Sequence, residues 1–211
     1  MSEEIRLLPT SRETARDASA PSDGELLARC AAGDERAMRL LYEREVDAVH
    51  RKLRAVLGSD PDVDDLVQNT FVRAFRALGS FRGDSKLSTW LCRIALNVAY
   101  AHLASAPRRR SRNAIDADEL QLVDARPDSD VLVEQRERVR RMYALLEGES
   151  PENRLAFVMT FVEGHTIDEA AELLDTSRNT IAARARRTRA RLVDAMARHE
   201  SGAREPEGSG P

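Results

Sequence analysis

The sequence predicts an all-α protein with two small helical domains, joined by a flexible acidic linker, and a helix-turn-helix in the second domain. Of its 211 residues, 33% are charged and 4% are aromatic, which favours helices with narrow apolar stripes over a thick β core. Apolar residues recur at steps of three and four along much of the chain, as they do on one face of a helix. Ser, Thr or Asp precedes several of these stretches, where helix N-caps are expected.

The first domain is predicted over residues 22–104, after a disordered N-terminus at 1–21. Ser22 and Glu25 have capping-box spacing for a first helix, and a second helix is expected after Asp34. Asp60 is expected to cap the third helix, with the following proline at its first position. The expected buried positions are Met38, Leu41, Val46, Val49 and Leu53 in the second helix, Val63, Leu66, Val67, Phe71, Phe75 and Leu78 in the third, and Trp90, Leu91, Ile94, Ala95 and Val98 in the fourth.

Residues 105–130 lose the helical pattern and are predicted to be the linker, while 131–198 form the second domain and 199–211 a disordered tail. One predicted helix of this domain carries Val131, Val139, Met142, Leu145 and Leu146. Ser150 followed by proline predicts the start of the next, with Leu155, Val158, Phe161 and Val162 buried.

Two short helices close the second domain. Thr166 and Glu169 form a capping box for the first of them, which should end near Leu174. A tight turn through Asp175 and Thr176 leads to a last, arginine-rich helix. This arrangement is typical of a helix-turn-helix.

The charge of the chain is unevenly distributed. The total is −3, yet residues 116–137 hold eight acids and two arginines, and residues 176–199 hold seven arginines and one acid. Because local charge decides what a surface attracts, the last helix is a candidate nucleic-acid surface behind an acidic linker.

Several classes of protein are excluded. The longest apolar run, Leu155 to Met159, is too short for a membrane span, and the first residues lack a secretory signal, so we expect a cytoplasmic protein without membrane insertion. Two cysteines are too few for a disulfide framework or a cysteine-based zinc site. The four histidines are dispersed, and neither a Walker glycine loop nor a GxSxG elbow is present. We therefore expect no catalytic residues, no metal and no cofactor.

Three segments carry a resemblance to a known family. They are DDLVQNTFVRAF at 64–75, FRGDSKLSTWLCRIALN at 81–97 and EGHTIDEAAELLDTSRNTI at 163–181. In sequence, order and spacing, the chain resembles the extracytoplasmic-function (ECF) group of bacterial RNA polymerase sigma factors over roughly residues 22–195. The resemblance implies a non-catalytic subunit that binds core RNA polymerase, directs it to specific promoters and helps to open them. It also implies an anti-sigma factor as a possible partner, and association with the nucleoid when the protein is active.

The resemblance assigns polymerase binding to the start of the third helix, at Asp64, Asp65 and Gln68. Asn69 stands where the family usually has an acid. An alternative remains open, because carboxylates in a first helical turn also complement the helix dipole without any partner.

For the downstream (−10) element and the melted non-template strand, the resemblance implies contacts from Phe81, Arg82, Lys86, Ser88, Thr89 and Asn97. A loop with a ring, a positive charge and a glycine suits unstacked bases, and the hydroxyls lie at a helix start. The alternative is an ordinary loop and core, and for Trp90 core packing is the favoured interpretation.

For double-stranded DNA at the upstream (−35) element, the resemblance implies contacts from Ser177, Arg178, Asn179, Thr180, Arg184 and Arg187. Thr180, Arg184 and Arg187 share a face, and arginine binds guanine or phosphate. Asp175 and Asn179 replace family glycines and tolerate left-handed backbone. Ala182 replaces a basic residue. A solvated arginine face is the alternative.

Two rival functions stay open at this point. A stand-alone helix-turn-helix transcription regulator would share only the last segment and leave residues 60–97 unexplained. A helical nucleic-acid hydrolase would need a metal-binding carboxylate cluster. For the acidic linker, a path along basic polymerase surfaces and simple solvation are equally open.

Overall fold

The computed structural model describes residues 21–81, 83, 85–105 and 129–202. The described residues form α-helices and short helical turns and include no strand, which confirms the all-α prediction. The predicted linker falls largely on residues 106–128, and these, with both predicted disordered termini but for a few residues, lie outside the described part. The predicted domain boundaries remain predictions.

The N-terminal domain contains four helices, α1 (Asp23–Ala31), α2 (Glu35–Leu57), α3 (Val63–Ala77) and α4 (Leu87–Ser105), with a 3-10 turn at Leu78–Ser80. α2, α3 and α4 pack against one another, and α1 packs on α2. The predicted apolar stripes form the core, with Met38, Val46, Phe75, Trp90 and Ile94 partly buried at its edge.

The predicted helix starts are confirmed at two of three positions in this domain. The Ser22 side chain accepts a hydrogen bond from the Glu25 amide, and Asp34 accepts from the second and third amides of α2. The third prediction is wrong, because α3 starts at Val63 rather than at Pro61. Asp60 Oδ1 instead accepts from the Asp62 amide at 3.0 Å and stabilises the turn before the helix.

The C-terminal domain contains α5 (Ser129–Leu146), α6 (Pro151–Phe157), α7 (Ile167–Leu173) and α8 (Arg178–Gly202), with a π turn at Val158–Val162. Ser150 caps α6 with the proline at its first position, and Thr166 and Glu169 form the predicted capping box of α7. Phe161 is exposed rather than buried. The π turn holds one more residue than an α turn, and it rotates this side chain off the inner face.

The two domains pack on each other and share one continuous core. α4 contacts α6 and α7, and the end of α2 contacts the π turn. Gly58 follows the last residue of α2 and has a φ of +68°. A Cβ there would lie 3.1 Å from the Tyr143 ring of α5, so both the backbone conformation and the space require glycine. The sequence did not predict this packing.

Candidate nucleic-acid and polymerase interfaces

The outer face of α3 presents the three predicted polymerase-binding residues. Asp64, Asp65 and Gln68 are all exposed. Asp64 lies 3.4 Å from His50 Nε2 on α2, so it has a neighbour within the domain. Among the described residues, no side-chain hydrogen bond or ion pair involves Asp65 or Gln68.

An exposed valine extends this face. Val72 retains 46% of its surface. Asp65, Gln68 and Val72 are at positions i, i+3 and i+7, so they lie on one side of α3. The sequence analysis missed Val72. The available signal was an apolar residue outside the α3 stripe that begins at Val63.

The loop before α4 is anchored by an aromatic pair. The Phe81 and Trp90 rings lie 5.3 Å apart in an edge-to-face arrangement. Both are partly buried against the core, which supports the core interpretation of Trp90 and leaves Phe81 half accessible. Arg82 lies outside the described residues, and the neighbouring Gly83 has a φ of +79°.

The remaining downstream-element candidates lie along α4. Lys86 and Ser88 are exposed and Thr89 is half-buried at the helix start, whereas Asn97 is exposed much farther along. Thr89 and Asn97 are eight residues apart and lie within about 80° of each other around the helix. Ser88 lies nine residues from Asn97, about 180° away, so the structure does not bring these two together.

Asn97 lies at the edge of the domain interface. It lines a crevice of about 530 Å³ together with Arg93 and, from the C-terminal domain, Glu172 and Thr176. Arg93 Nη2 lies 2.6 Å from Glu172 Oε1. The sequence missed this partner, since it depends on domain packing.

The helix-turn-helix is built as the sequence predicts. α7 ends at Leu173, and the turn passes through Asp175, whose φ of +47° is the left-handed conformation expected there. Asn179 differs, because it lies inside α8 and needs no such conformation. The Ser177 hydroxyl accepts from the Thr180 amide at 3.2 Å and so caps α8.

α8 has one buried face with a polar flank on either side. Ile181, Ala185, Thr188 and Leu192 are buried at a helical period, and they fix the rotation of the helix against α6 and α7. Thr180, Arg184 and Arg187 lie on one flank, and Arg189 lies on the other.

The arginines of α8 differ in their partners. Arg189 stacks on the Phe161 ring at 5.4 Å, and Arg191 Nη1 contacts Glu149 at 3.1 Å. Arg178 lies 3.5 Å from Asp168. The Arg187 side chain is exposed and makes no hydrogen bond or ion pair with any residue of the described chain. The structure thus leaves it available for an external anion.

Arg184 lies near an interdomain contact. Its positive charge stabilises the ionised Glu152, whose carboxylate accepts from Tyr100 Oη at 2.8 Å. Hydrogen bonds from its own amide, from Ser150 and from Tyr100 lower the pKa of Glu152. The hydrogen bond to this carboxylate raises the pKa of Tyr100.

One grouping has metal-ligand atom types. Asp60, Asp62 and His102 offer ligand atoms within 4.8 Å of one another. His102 Nε2 lies 2.9 Å from Asp60 Oδ2, and Asp60 also accepts from the Asp62 amide. These contacts join the start of α3 to α4, and they account for the arrangement. Among the described helices, none is long and apolar enough to cross a bilayer.

Comparison with known families matches both domains to parts of one class of protein. Residues 41–109 match Sigma-70 region 2, and residues 140–192 match Sigma-70, region 4. These are domains of transcription-initiation factors. The first match excludes the stand-alone regulator, since it covers the segment that this rival left unexplained.

The relatives specify the group. The chain is 31% identical over 176 residues to the ECF RNA polymerase sigma-E factor of Escherichia coli, covering 80% of this chain and 91% of that one. It is 34% identical over 172 residues to the ECF RNA polymerase sigma factor SigM of Mycobacterium tuberculosis, covering 82% and 83%. The chain therefore belongs to the ECF RNA polymerase sigma factors. It binds core RNA polymerase, directs it to specific promoters and assists their opening, and it is not an enzyme.

Two solved structures share the fold. CnrH, in complex with the cytosolic domain of CnrY, matches with a TM-score of 0.53 and 27% identity over 82% of this chain and 95% of that one. The sigma factor RpoE of Bartonella quintana, in complex with the anti-sigma factor NepR, matches with a TM-score of 0.51 and 23% identity over 75% and 96%.

Proposed function

We propose that three surfaces divide the work of this sigma factor. The outer face of α3 docks on core polymerase, the loop before α4 and one side of α4 engage the downstream element, and the open flank of α8 reads the upstream element. The observation that carries this assignment is the difference in side-chain partners among the arginines of α8. Arg189, on the opposite flank, stacks on Phe161, and Arg191, one turn beyond Arg187, pairs with Glu149, whereas the Arg187 side chain is exposed and pairs with no described residue.

The docking face on α3 combines acid, amide and apolar groups. Asp65, Gln68 and Val72 form one exposed stripe, and a mixed stripe of this kind suits a protein partner better than a nucleic acid. Helix-dipole stabilisation explains the acids, but it does not explain an exposed valine beside them. Asp64 contributes through its contact with His50 and sets the edge of the face.

The melting surface joins an aromatic anchor to polar groups. Phe81 is held against Trp90 and remains half accessible, so it can stack on an extruded base of the non-template strand. Lys86 supplies a positive charge and Thr89 a hydroxyl, and Asn97 extends the contact along the same side of α4. Ser88, on the opposite side, contributes its hydroxyl only at the helix start. Arg82 belongs to the same loop in sequence.

The function is tested by run-off transcription with core polymerase on genomic fragments. Transcripts from specific start sites should require the full chain, and the chain alone should not cleave DNA with or without Mg²⁺. Phe81→Ala should then slow the appearance of permanganate-reactive thymines while closed complexes still form. Opening at the parental rate would remove Phe81 from the melting surface.

The upstream surface is tested with a matched pair of arginines. Arg187→Ala should weaken binding by about 1–3 kcal/mol, mostly on a duplex selected from random DNA. Arg189→Ala, on the opposite flank, should weaken selected and scrambled duplexes equally and slightly, with a salt slope lower by up to about one unit. Equal losses on both duplexes for Arg187→Ala would make it a phosphate contact and move base reading elsewhere on α8.

An anti-sigma factor is the remaining partner. CnrH, 27% identical to this chain, was solved with a cytosolic domain of a second protein, and this supports a comparable partner here. Full-length chain should capture from its host a protein that suppresses run-off transcription when added back. Captured proteins without effect on transcription would count against this partner. A cytoplasmic location, with nucleoid association during activity, follows from the same proposal.

A further inference from the structure

Asp60, Asp62 and His102 form a cluster where the loop after α2 meets the end of α4. One ligand atom from each side chain, a carboxylate oxygen or an imidazole nitrogen, lies within 4.8 Å of the other two. We expected no metal from the sequence because the histidines are dispersed, but the fold brings His102 to Asp60, 42 residues away. The Asp60 and His102 side chains keep 26% and 18% of their surface, and Asp62 is exposed. The cluster thus joins a largely buried pair to a third group that solvent reaches.

The loop that carries the two aspartates follows a capped helix end. Tyr143 Oη donates to the Ala55 carbonyl at 2.8 Å, and Arg154 Nε donates to the Val56 carbonyl at 2.6 Å. Both carbonyls lie in the last turn of α2, where partners within the helix are missing. The caps therefore fix the chain a few residues before Asp60. Arg154 also carries a positive charge near Asp60, but no hydrogen bond or ion pair joins these two described residues.

Asp62 occupies the N-cap position of α3 without capping the helix. An aspartate there normally accepts from an amide of the first turn, but the Asp62 side chain makes no such bond. Its carboxylate also makes no hydrogen bond or ion pair with any other described residue. Asp60 differs, since Oδ1 accepts from the Asp62 amide and Oδ2 lies 2.9 Å from His102 Nε2. Internal contacts therefore place two members of the cluster, and the third adds an uncommitted carboxylate beside them.

The sequence around the cluster is acidic. Residues 58–72 contain four aspartates and neither lysine nor arginine. A local excess of negative charge attracts cations. The ionised carboxylates of Asp60 and Asp62 repel each other, and a divalent cation between them would remove that repulsion.

We propose that Asp60, Asp62 and His102 bind a divalent transition-metal ion such as Zn²⁺, with water completing the coordination. An imidazole ligand favours such an ion over Mg²⁺ or Ca²⁺, which prefer oxygen ligands. In a tetrahedral zinc site, bonds of about 2.0–2.2 Å place the ligand atoms about 3.3 Å apart. The ion replaces the proton between Asp60 and His102, and rotation of the exposed Asp62 side chain closes the remaining distance. The bound ion braces the start of α3 against the end of α4, outside the three surfaces proposed above.

The test is a calorimetric titration of Zn²⁺ into the full chain after a chelator has removed metal. The parent should bind one Zn²⁺ ion per chain, and Mg²⁺ should compete poorly. His102→Gln and Asp62→Asn should each weaken Zn²⁺ binding at least about tenfold, since even the loss of an outer-shell partner costs about 10- to 100-fold. Zn²⁺ should also raise the thermal unfolding midpoint of the parent more than that of either variant.

His50→Gln is the matched control. His50 Nε2 lies 3.4 Å from the Asp64 carboxylate, so this variant removes a histidine that is next to an aspartate but outside the cluster. Its Zn²⁺ affinity should equal that of the parent. Circular dichroism without metal checks the fold of each variant. If His102→Gln fails to fold, Asp62→Asn still decides the question, because the exposed Asp62 side chain has no partner in the described structure to lose.

Three outcomes overturn the site. Parental affinity in a folded Asp62→Asn or His102→Gln variant would show that Zn²⁺ binds elsewhere, for example at a thiol. An equal loss of affinity in His50→Gln would show that the ion associates with the acidic surface without selecting this cluster. Absence of Zn²⁺ binding by the parent would exclude the site directly. Polymerase and DNA are absent from these titrations, so their result does not depend on the proposed function.

Discussion

The interior of the N-terminal domain and the surface between the domains are stabilised by different chemistry. Phe71 of α3 and Leu53 of α2 are almost fully buried among apolar side chains, where separation exposes hydrocarbon to water. The domain interface combines a buried tyrosine with ion pairs and carbonyl caps, whose partners water can replace. The difference shows that the interior of the N-terminal domain depends on apolar burial, whereas the surface between the domains adds polar contacts to an apolar core that runs through both domains.

The largest expected effect comes from the apolar interior. Phe71→Ala should lower the free energy of unfolding by about 3–5 kcal/mol, because it removes a ring from a packed core. Urea unfolding followed by circular dichroism measures this. The adjacent exposed Val72→Ala should change stability by no more than about 0.5 kcal/mol. Similar losses of unfolding free energy in both variants would contradict the distinction between a buried Phe71 and an exposed Val72.

A smaller effect is expected at the α2 cap. Tyr143→Phe keeps the ring and removes the hydroxyl that donates to the Ala55 carbonyl. Leaving that buried carbonyl unpaired should cost about 1–3 kcal/mol in the same urea experiment. Tyr42→Phe is the control, since the Tyr42 hydroxyl makes no hydrogen bond with the described residues. A loss for Tyr143→Phe no larger than for the control would mean that water already satisfies the carbonyl.

The smallest effect is a pH dependence at the interface. Burial, and then the nearby charge of Lys52, lower the pKa of His165 below its ordinary 6.5, against the opposing influence of Glu163 and Glu169. His165 Nε2 lies 3.3 Å from Lys52 Nζ and must accept, since an ammonium only donates.

The sign follows from proton binding. Between the lowered and the ordinary pKa, the unfolded chain binds more protons than the folded one, so stability falls as pH drops below about 6.5. The unfolding free energy of the parent should therefore decrease between about pH 7.5 and pH 5 by more than that of His165→Gln, while other titrating groups contribute alike to both. An identical pH dependence in the two proteins would show that His165 is solvated.

Local features of the fold could be predicted from the sequence, and long-range ones could not. The Thr166–Glu169 capping box and the left-handed Asp175 depend on neighbours within a few residues, and both were predicted correctly. The exposure of Phe161 was missed because a π turn breaks the assumed helical period. The Tyr143–Ala55 and Arg93–Glu172 contacts join residues far apart in sequence. Nothing in the local sequence around a backbone carbonyl or a glutamate identifies such a distant partner.

For the candidate sites, the spacing on α8 correctly separated Arg187 from Arg189, since helical geometry alone fixes their directions. It could not show that Phe161 would receive Arg189 or that Arg184 would lie near Glu152. Val72 was missed for another reason. An apolar side chain suggests a docking site only when it is exposed to solvent, and the sequence pattern does not give its exposure.

The π turn at Val158–Val162 also determines how Glu163 and His165 are aligned with Lys52 of the other domain. A π turn is in effect a one-residue insertion into an α-helix. Deleting one residue from it would turn the chain that follows by about 100° and draw it back by about 1.5 Å. Glu163 and His165 would then point away from Lys52 although every side chain involved was retained. The length of this turn, to a single residue, therefore decides whether two otherwise unchanged surfaces meet.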